Sequence, residues 1–154
     1  MGRIDERLAE LSITLTDPPP PAGAYVPAII DGDHVLTSGQ LPFVDGQLPV
    51  TGQVGSEVDP EQAKEAARLC AINALAAIRA AIGDLDRVEQ VVKVVGFVSS
   101  APDFTGQPGV VNGASELLGE VFGAAGEHAR SAVGVAALPL GTPVEVEVTV
   151  RTRD

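Results

Sequence analysis

"VEVEVTVRT", residues 144–152, is the stretch of the sequence that decides the fold. Valine occupies every second position, and the residues between are Glu145, Glu147, Thr149 and Arg151. Successive side chains of a β-strand point to opposite faces of a sheet, so this strand has one apolar face and one polar face. We predict that helices pack on the valine face, and that Glu145 and Glu147 point towards whatever covers the other face.

The longest helix is predicted between Asp59 and Gly83. Asp59 is a favourable N-cap, Pro60 suits the first helical position, and Gly83 permits the left-handed conformation that ends many helices. Apolar residues recur in between at three- and four-residue steps, which predicts one buried face. Cys70 lies on that face, and a lone cysteine in such apolar surroundings is typical of a small buried side chain.

Four further segments rich in apolar residues predict strands: residues 24–30, 34–40, 88–100 and 131–138. Gly96, inside the third of them, predicts a β-bulge. A second helix is predicted over residues 111–123, with Asn112 at its start as a cap and with Gly113 and Gly119 weakening it. This order predicts the α+β class, a mostly antiparallel sheet with two helices on one face.

Length and composition predict a single domain over residues 1–154, in which residues 1–22 form an N-terminal helix and a proline-rich lead-in. The net charge of −11 disfavours binding to nucleic-acid phosphates. No apolar run reaches the roughly 18 residues that suggest a membrane-spanning helix. There is no recognisable secretory signal and only one cysteine, so we expect a cytoplasmic protein.

The common catalytic and metal-binding motifs are not found in this sequence. It has no C-x-x-C or H-x-x-x-H motif, its two histidines are far apart, and no serine has an obvious base partner. The polar residues that remain as candidates are Tyr25, Ser38, Asn112, Arg130 and Glu145. Each also has a structural explanation, as an edge aromatic, a turn residue, a helix cap, a surface ion pair or a solvated strand residue.

Four segments carry a family resemblance. They are "AYVPAII...VLTSGQLP", "NALAAIRAAIGDLDRVEQVVKVVGFVSS", "VVNGASELLGEVFG" and "ARSAVGVAALPLGTPVEVEVTV". In this order, from about residue 23 to residue 151, they resemble the Rid family (reactive intermediate deaminase, RidA/YjgF), also known as endoribonuclease L-PSP. The most specific part is the A-R-S-x-V-x-V-x-x-L-P block with V-E-V-E after it.

The resemblance implies a fold similar to trimeric chorismate mutase. Three subunits would place their sheets in a central barrel, which would cover the polar sheet face, and ligand pockets would lie in the clefts between subunits. Arg130 and Glu145 are then expected on the face that the helices leave uncovered, meeting at a subunit boundary.

The resemblance also implies a reaction, the hydrolysis of a 2-imino acid or its enamine to a 2-keto acid and ammonia without a cofactor. Arg130 would bind the substrate carboxylate, because its planar fork donates two parallel hydrogen bonds. Glu145 would position the attacking water. The substrate-binding residues implied in addition are Tyr25, Ser38, Gly39, Asn112 and Ala132.

Three segments depart from the family pattern. Residues 23–27 read GAYVP where G-P-Y-S-Q is common, Ala132 replaces a frequent cysteine, and residues 99–115 form a longer connection. A non-catalytic protein that binds small keto or amino acids therefore stays an alternative to the deaminase. The net charge argues against a ribonuclease, and the scarcity of cationic groups argues against a chorismate mutase.

Overall fold

Three α-helices and five β-strands make up the described part of the chain, residues 1–21 and 23–154 of a computed structural model. Ala22, the last residue of the predicted lead-in, lies outside the described residues. The helices are α1 (Arg3–Glu10), α2 (Pro60–Ile82) and α3 (Gln107–Phe122). The strands are β1 (Ala28–Asp31), β2 (His34–Thr37), β3 (Val88–Ser99), β4 (Ala129–Val135) and β5 (Val144–Thr152). Within the described ranges, no helix has the length and apolarity needed to cross a membrane.

One sheet contains all five strands in the order β1-β2-β5-β3-β4. Neighbouring strands are antiparallel except β3 and β4, which are parallel. The four valines of β5 are at most 1% exposed, and α2 and α3 pack on the same face of the sheet. The predicted α+β class, with a mostly antiparallel sheet and helices on one face, is confirmed.

Helix α2 has the predicted ends. The Asp59 side chain accepts a hydrogen bond from the Gln62 backbone N–H at 2.8 Å, and the Gln62 side chain accepts one from the Asp59 N–H at 3.1 Å. This capping box satisfies two N–H groups that the helix itself cannot pair. Gly83 follows the last turn with a φ of +86°. Cys70 is fully buried on the inner face, and burial raises the pKa of its thiol well above the ordinary value.

Helix α3 begins four residues earlier than predicted, at Gln107. Pro108 lies in the first turn, where its missing N–H removes no helical hydrogen bond. Asn112 therefore lies inside the helix, and the prediction that it caps the helix is wrong. The connection from β3 to α3 is also shorter than residues 99–115, and the Gln107 side chain closes it by donating to the Phe104 carbonyl at 2.8 Å.

Two glycines set the distance of α3 from its neighbours. A Cβ on Gly96 of β3 would overlap the side chain of Val111, and a Cβ on Gly113 would overlap the backbone carbonyl of Lys64 in α2. Gly96 pairs regularly with both adjacent strands, so the predicted bulge at this position is wrong. The register shifts of β3 lie nearer its start, between Val88 and Lys93. Gly96 is needed for close packing of the helix on the sheet.

Helix α1 is held in place by the side chain of Asp86, which is distant from it in the sequence. Asp86 accepts hydrogen bonds from the backbone N–H groups of Arg3 at 2.9 Å and Ile4 at 2.8 Å. These bonds, above all the one from Ile4, lower the pKa of Asp86. Ile4 and Leu8 are buried against the core, so α1 is held both by these hydrogen bonds and by apolar packing.

The two glycines of α3 predict opposite effects of the same substitution. Gly113→Ala should lower the free energy of unfolding by about 3 kcal/mol, because the new methyl group overlaps backbone of α2. Gly119→Ala should raise it by about 0.5 kcal/mol, because Gly119 is an exposed residue in the last turn of α3 with nothing near its Cβ position. Urea unfolding of both variants measures the difference. Equal effects would contradict the close approach of α2 and α3.

Candidate functional site

Arg130 lies near the start of β4 and points to the helix-covered side of the sheet. Its partner on β3 is Val94, a fully buried core residue, and paired residues of neighbouring strands share a face. Nη1 of Arg130 donates to Oδ1 of Asn112 at 2.7 Å and to Oγ of Ser115 at 3.2 Å. Asn112 and Ser115 are three residues apart in α3, so one helix face presents both acceptors.

The partners of Arg130 are uncharged. Within residues 1–21 and 23–154 no carboxylate forms an ion pair with it, although Arg68 and Arg151 pair with glutamates elsewhere. Amide and hydroxyl oxygens orient a guanidinium without neutralising it. The charge of Arg130 and the donors Nε and Nη2, which bond to no described residue, are therefore available to an anion.

Ser115 and His128 extend this group of residues. Oγ of Ser115 lies 2.8 Å from Nε2 of His128, and Nδ1 of His128 lies 2.6 Å from the carbonyl oxygen of Gly126. Sequence reasoning did not single out either residue. The available signal was their spacing, since Ser115 follows Asn112 by one helical turn and His128 precedes Arg130 by two residues on an extended segment.

Ala132 follows Arg130 on the same face of β4. Its partner on β3 is Gly96, and its half-buried methyl group packs against the core. The structure thus brings together three of the residues singled out from the sequence: Asn112, Arg130 and Ala132. We name this set, with Ser115 and His128, the arginine group.

A second set of candidate residues surrounds Glu145. Gly39 lies so close to Glu145 that a Cβ on the glycine would be 2.8 Å from the carboxylate carbon. Oγ of Ser38 donates to the Val26 carbonyl at 2.6 Å, which holds the end of β2 against the segment before β1. In that segment Tyr25 is 54% exposed. We name Tyr25, Ser38, Gly39 and Glu145 the glutamate group.

The two groups lie on opposite faces of the sheet. Glu145 pairs with Phe97 on the face that the helices leave uncovered, whereas Arg130 pairs with Val94 on the helix side. Strand β3 lies between β4 and β5, and the two positions differ by three residues along it, about 10 Å. The expectation that Arg130 shares the uncovered face with Glu145 is wrong, and the two side chains cannot meet within one subunit.

Burial changes the acidity of Glu145. The half-buried position raises the pKa of its carboxyl group, and the negative charge of Glu147, two residues away on the same face, raises it further. A carboxylate with a raised pKa holds a proton more readily and is a stronger base, which is the property required of a residue that accepts a proton from water.

The uncovered sheet face combines apolar side chains with these carboxylates. Ile29 is 58% exposed, Val133 43% and Leu36 39%, and the strand register places all three on this face, Ile29 opposite Leu36 and Val133 opposite Phe97. Large apolar side chains that are contiguous and exposed mark an interaction surface in most soluble proteins. This face therefore has the composition of a contact surface.

The histidines of the described residues do not meet. His34 lies in β2 with Nδ1 2.7 Å from Oδ1 of Asp33, and His128 belongs to the arginine group. Over residues 1–21 and 23–154, no three side chains of histidine, cysteine, aspartate or glutamate are grouped to hold a metal ion.

Comparison with known proteins identifies the family. Residues 5–149 match the family model described as "YjgF/chorismate mutase-like, putative endoribonuclease". This chain belongs to the YjgF/chorismate mutase-like family. The resemblance to the Rid family that the sequence motifs suggested is thereby confirmed.

Three related proteins are similar to this chain over most of its length. Protein TCP17 of Trypanosoma cruzi is 46% identical over 97% of this chain and 94% of its own. The crystal structure of Atu1372 of Agrobacterium tumefaciens, a protein of unknown function, is 47% identical with a TM-score of 0.90, covering 98% of this chain and 94% of that one. A 2-iminobutanoate/2-iminopropanoate deaminase of Salmonella typhimurium is 32% identical over 88% of this chain and 93% of its own.

The raised pKa of Glu145 predicts that Glu145→Gln stabilises the protein at neutral pH. The pKa of Glu145 is higher in the folded state than in the unfolded state. The free energy of unfolding therefore falls as the pH rises through the interval between these two values, and it stays lower above that interval. Glutamine does not ionise, so the melting temperature of the variant should exceed that of the wild type at pH 7. The difference should narrow as the pH falls and vanish near pH 3, where both states of the wild type are largely protonated.

Glu127→Gln, at an exposed position, is the control and should leave the melting temperature unchanged at both pH values. A Glu145→Gln variant less stable than the wild type at pH 7 would show that the carboxylate is favourably paired.

Proposed function

We propose that this protein hydrolyses 2-imino acids, or the enamines in equilibrium with them, to 2-keto acids and ammonia. The observation that carries the proposal is the arginine group, a half-buried guanidinium oriented by uncharged oxygens and lacking an ion-pair partner among the described residues. A planar carboxylate is the anion that matches such a fork, and every 2-imino acid carries one beside the reacting carbon.

The reaction needs one proton acceptor near the substrate. The water oxygen bonds to C2 of the imine while Glu145 accepts one water proton, and the C=N π electron pair moves to nitrogen, which takes that proton to give a carbinolamine. Glu145 then transfers the hydroxyl proton to the nitrogen, the C–N bond breaks as the C=O bond forms, and ammonia and the keto acid result. The raised pKa of Glu145 suits this exchange of a proton in both directions.

A homotrimer is the assembly that we propose for this chemistry. Arg130 and Glu145 lie on opposite sides of one sheet, so a site that uses both requires a second subunit to supply one of them. The exposed apolar side chains of the uncovered face support burial between subunits. In the proposed cleft the substrate lies between Arg130 of one subunit, which binds its carboxylate, and Glu145 of the next, which reaches the water at C2.

The remaining candidate residues are assigned supporting roles in this cleft. Asn112 orients Arg130 through the 2.7 Å hydrogen bond, and backbone donors beside Ala132 assist in holding the carboxylate. Gly39 leaves room for the Glu145 side chain, since any Cβ at that position would collide with it. Ser38 fixes the segment that presents Tyr25, whose exposed ring is placed to contact the substrate side chain.

A protein that only binds small keto or amino acids is the second candidate. The arginine group is complete within one subunit, whereas hydrolysis also requires Glu145 from another. A subunit can therefore recognise a carboxylate without being able to turn it over. Glu145 separates the two candidates, because binding does not require it and hydrolysis does.

Removal of the guanidinium should abolish the proposed activity. 2-Iminopropanoate and 2-iminobutanoate are generated with an amino-acid oxidase, and imine loss is followed with and without the protein. Arg130→Ala should lower kcat/KM by at least about 100-fold, because a charge-assisted pair to the carboxylate is lost. Arg3→Ala, at an exposed arginine of α1, is the matched control and should keep full activity.

Glu145→Gln should abolish hydrolysis while retaining keto-acid binding measured by calorimetry. Equal imine decay with and without wild-type protein, across small and bulky imino acids, contradicts the deaminase. If keto acids nevertheless bind and Arg130→Ala removes the binding, the second candidate is correct. A monomeric mass in light scattering would contradict the trimer.

A further inference from the structure

We propose that His128, acting through Ser115, is a positioning residue for Arg130. The four groups form one hydrogen-bonded series from the Gly126 carbonyl through His128 and Ser115 to the guanidinium. This inference rests on the proposed function, because it explains how the carboxylate-binding group is held ready for its ligand.

The Gly126 carbonyl determines which nitrogen of His128 carries the proton. A carbonyl oxygen only accepts hydrogen bonds, so Nδ1, at 2.6 Å from it, must be the donor. In the neutral ring Nε2 is then an acceptor. Gly126 itself is fixed, since it is buried so tightly that a Cβ there would overlap the backbone of Leu118 in α3.

The histidine in turn orients the Ser115 hydroxyl. With Nε2 as acceptor at 2.8 Å, the single hydroxyl hydrogen of Ser115 points to His128. The lone pairs of Oγ are thereby left for Nη1 of Arg130 at 3.2 Å. Without His128, the hydroxyl would be free to turn its hydrogen to a carbonyl of the preceding helical turn, as serine side chains in helices often do.

The series holds the guanidinium while keeping its charge. Asn112 and Ser115 fix Nη1 from one side, and neither these two side chains nor the imidazole of His128 behind them adds a negative charge. An arginine that is already oriented loses less conformational freedom when it binds a ligand. The expected consequence of breaking the series is weaker carboxylate binding with little change in the folded structure.

Calorimetric titration with 2-oxobutanoate tests the series. Ser115→Ala and His128→Phe should each raise the Kd about threefold to tenfold, the range of one net hydrogen bond. The double variant should be no weaker than the weaker single variant, because both changes remove the same series. Ser115→Thr, which keeps the hydroxyl, should bind like the wild type. In an Arg130→Lys background, which keeps a positive charge for the carboxylate but lacks the guanidinium that the series orients, His128→Phe should have no further effect on the Kd, which distinguishes positioning from a general loss of structure.

A measurement without ligand tests the same geometry. At pH 8, the two-bond ¹H–¹⁵N NMR correlations of the wild-type imidazole ring should show the His128 proton on Nδ1. A proton on Nε2 would overturn the inference, since Nε2 would then be a donor to Ser115.

The binding results separate this inference from the proposed function. If the wild type neither binds 2-oxobutanoate nor accelerates imine loss, both are overturned. Binding by the wild type with an unchanged Kd for His128→Phe and Ser115→Ala overturns the positioning role alone, and the proposed function stands.

Discussion

The close approach of α3 to the sheet and to α2 is the constraint on which the rest of the structure depends. It requires glycine at Gly96 and Gly113, where a single methyl group would overlap a neighbouring side chain or backbone. The alanine- and valine-rich core makes a short distance between layers favourable, because small side chains lose packing contacts when layers separate. From this position α3 reaches Arg130 with both Asn112 and Ser115.

Two ionic groups in this fold are held in electrostatically unfavourable surroundings. Arg130 is half-buried with uncharged partners, in a chain that has carboxylates in excess. Glu145 is half-buried beside another carboxylate, and both effects oppose its ionisation. Such groups are common at functional sites, where a ligand relieves the unfavourable charge. A substrate carboxylate would relieve the first, and transfer of a water proton to Glu145 would relieve the second.

Much of the fold could be predicted from the sequence because its signals are local. The alternation of β5 and the cap residues Asp59 and Gly83 each act within a few residues, and the structure agrees with them. The face of β4 could not be predicted in this way. Its sequence, ARSAVGV, has no alternation, and the side on which Arg130 lies depends on its parallel register with β3.

The candidate site shows the same limit. Asn112 is a candidate from the residues alone, but its predicted capping position is wrong because Pro108 lies in the first turn of a helix that starts four residues earlier. Ser115 and His128 are 13 residues apart and meet only once α3 has packed beside β4. Periodicity describes one element at a time, so a contact made by tertiary packing leaves no trace in it.

The placement of the arginine and glutamate groups on opposite faces has a genetic consequence. In the proposed trimer a cleft takes Arg130 from one chain and Glu145 from another, so a subunit with one defect can still contribute the intact residue. Two alleles, each inactive when expressed alone, would assemble into mixed trimers in which some clefts contain both native side chains. The catalytic unit is then the boundary between chains, and intragenic complementation is a property of the topology of the sheet.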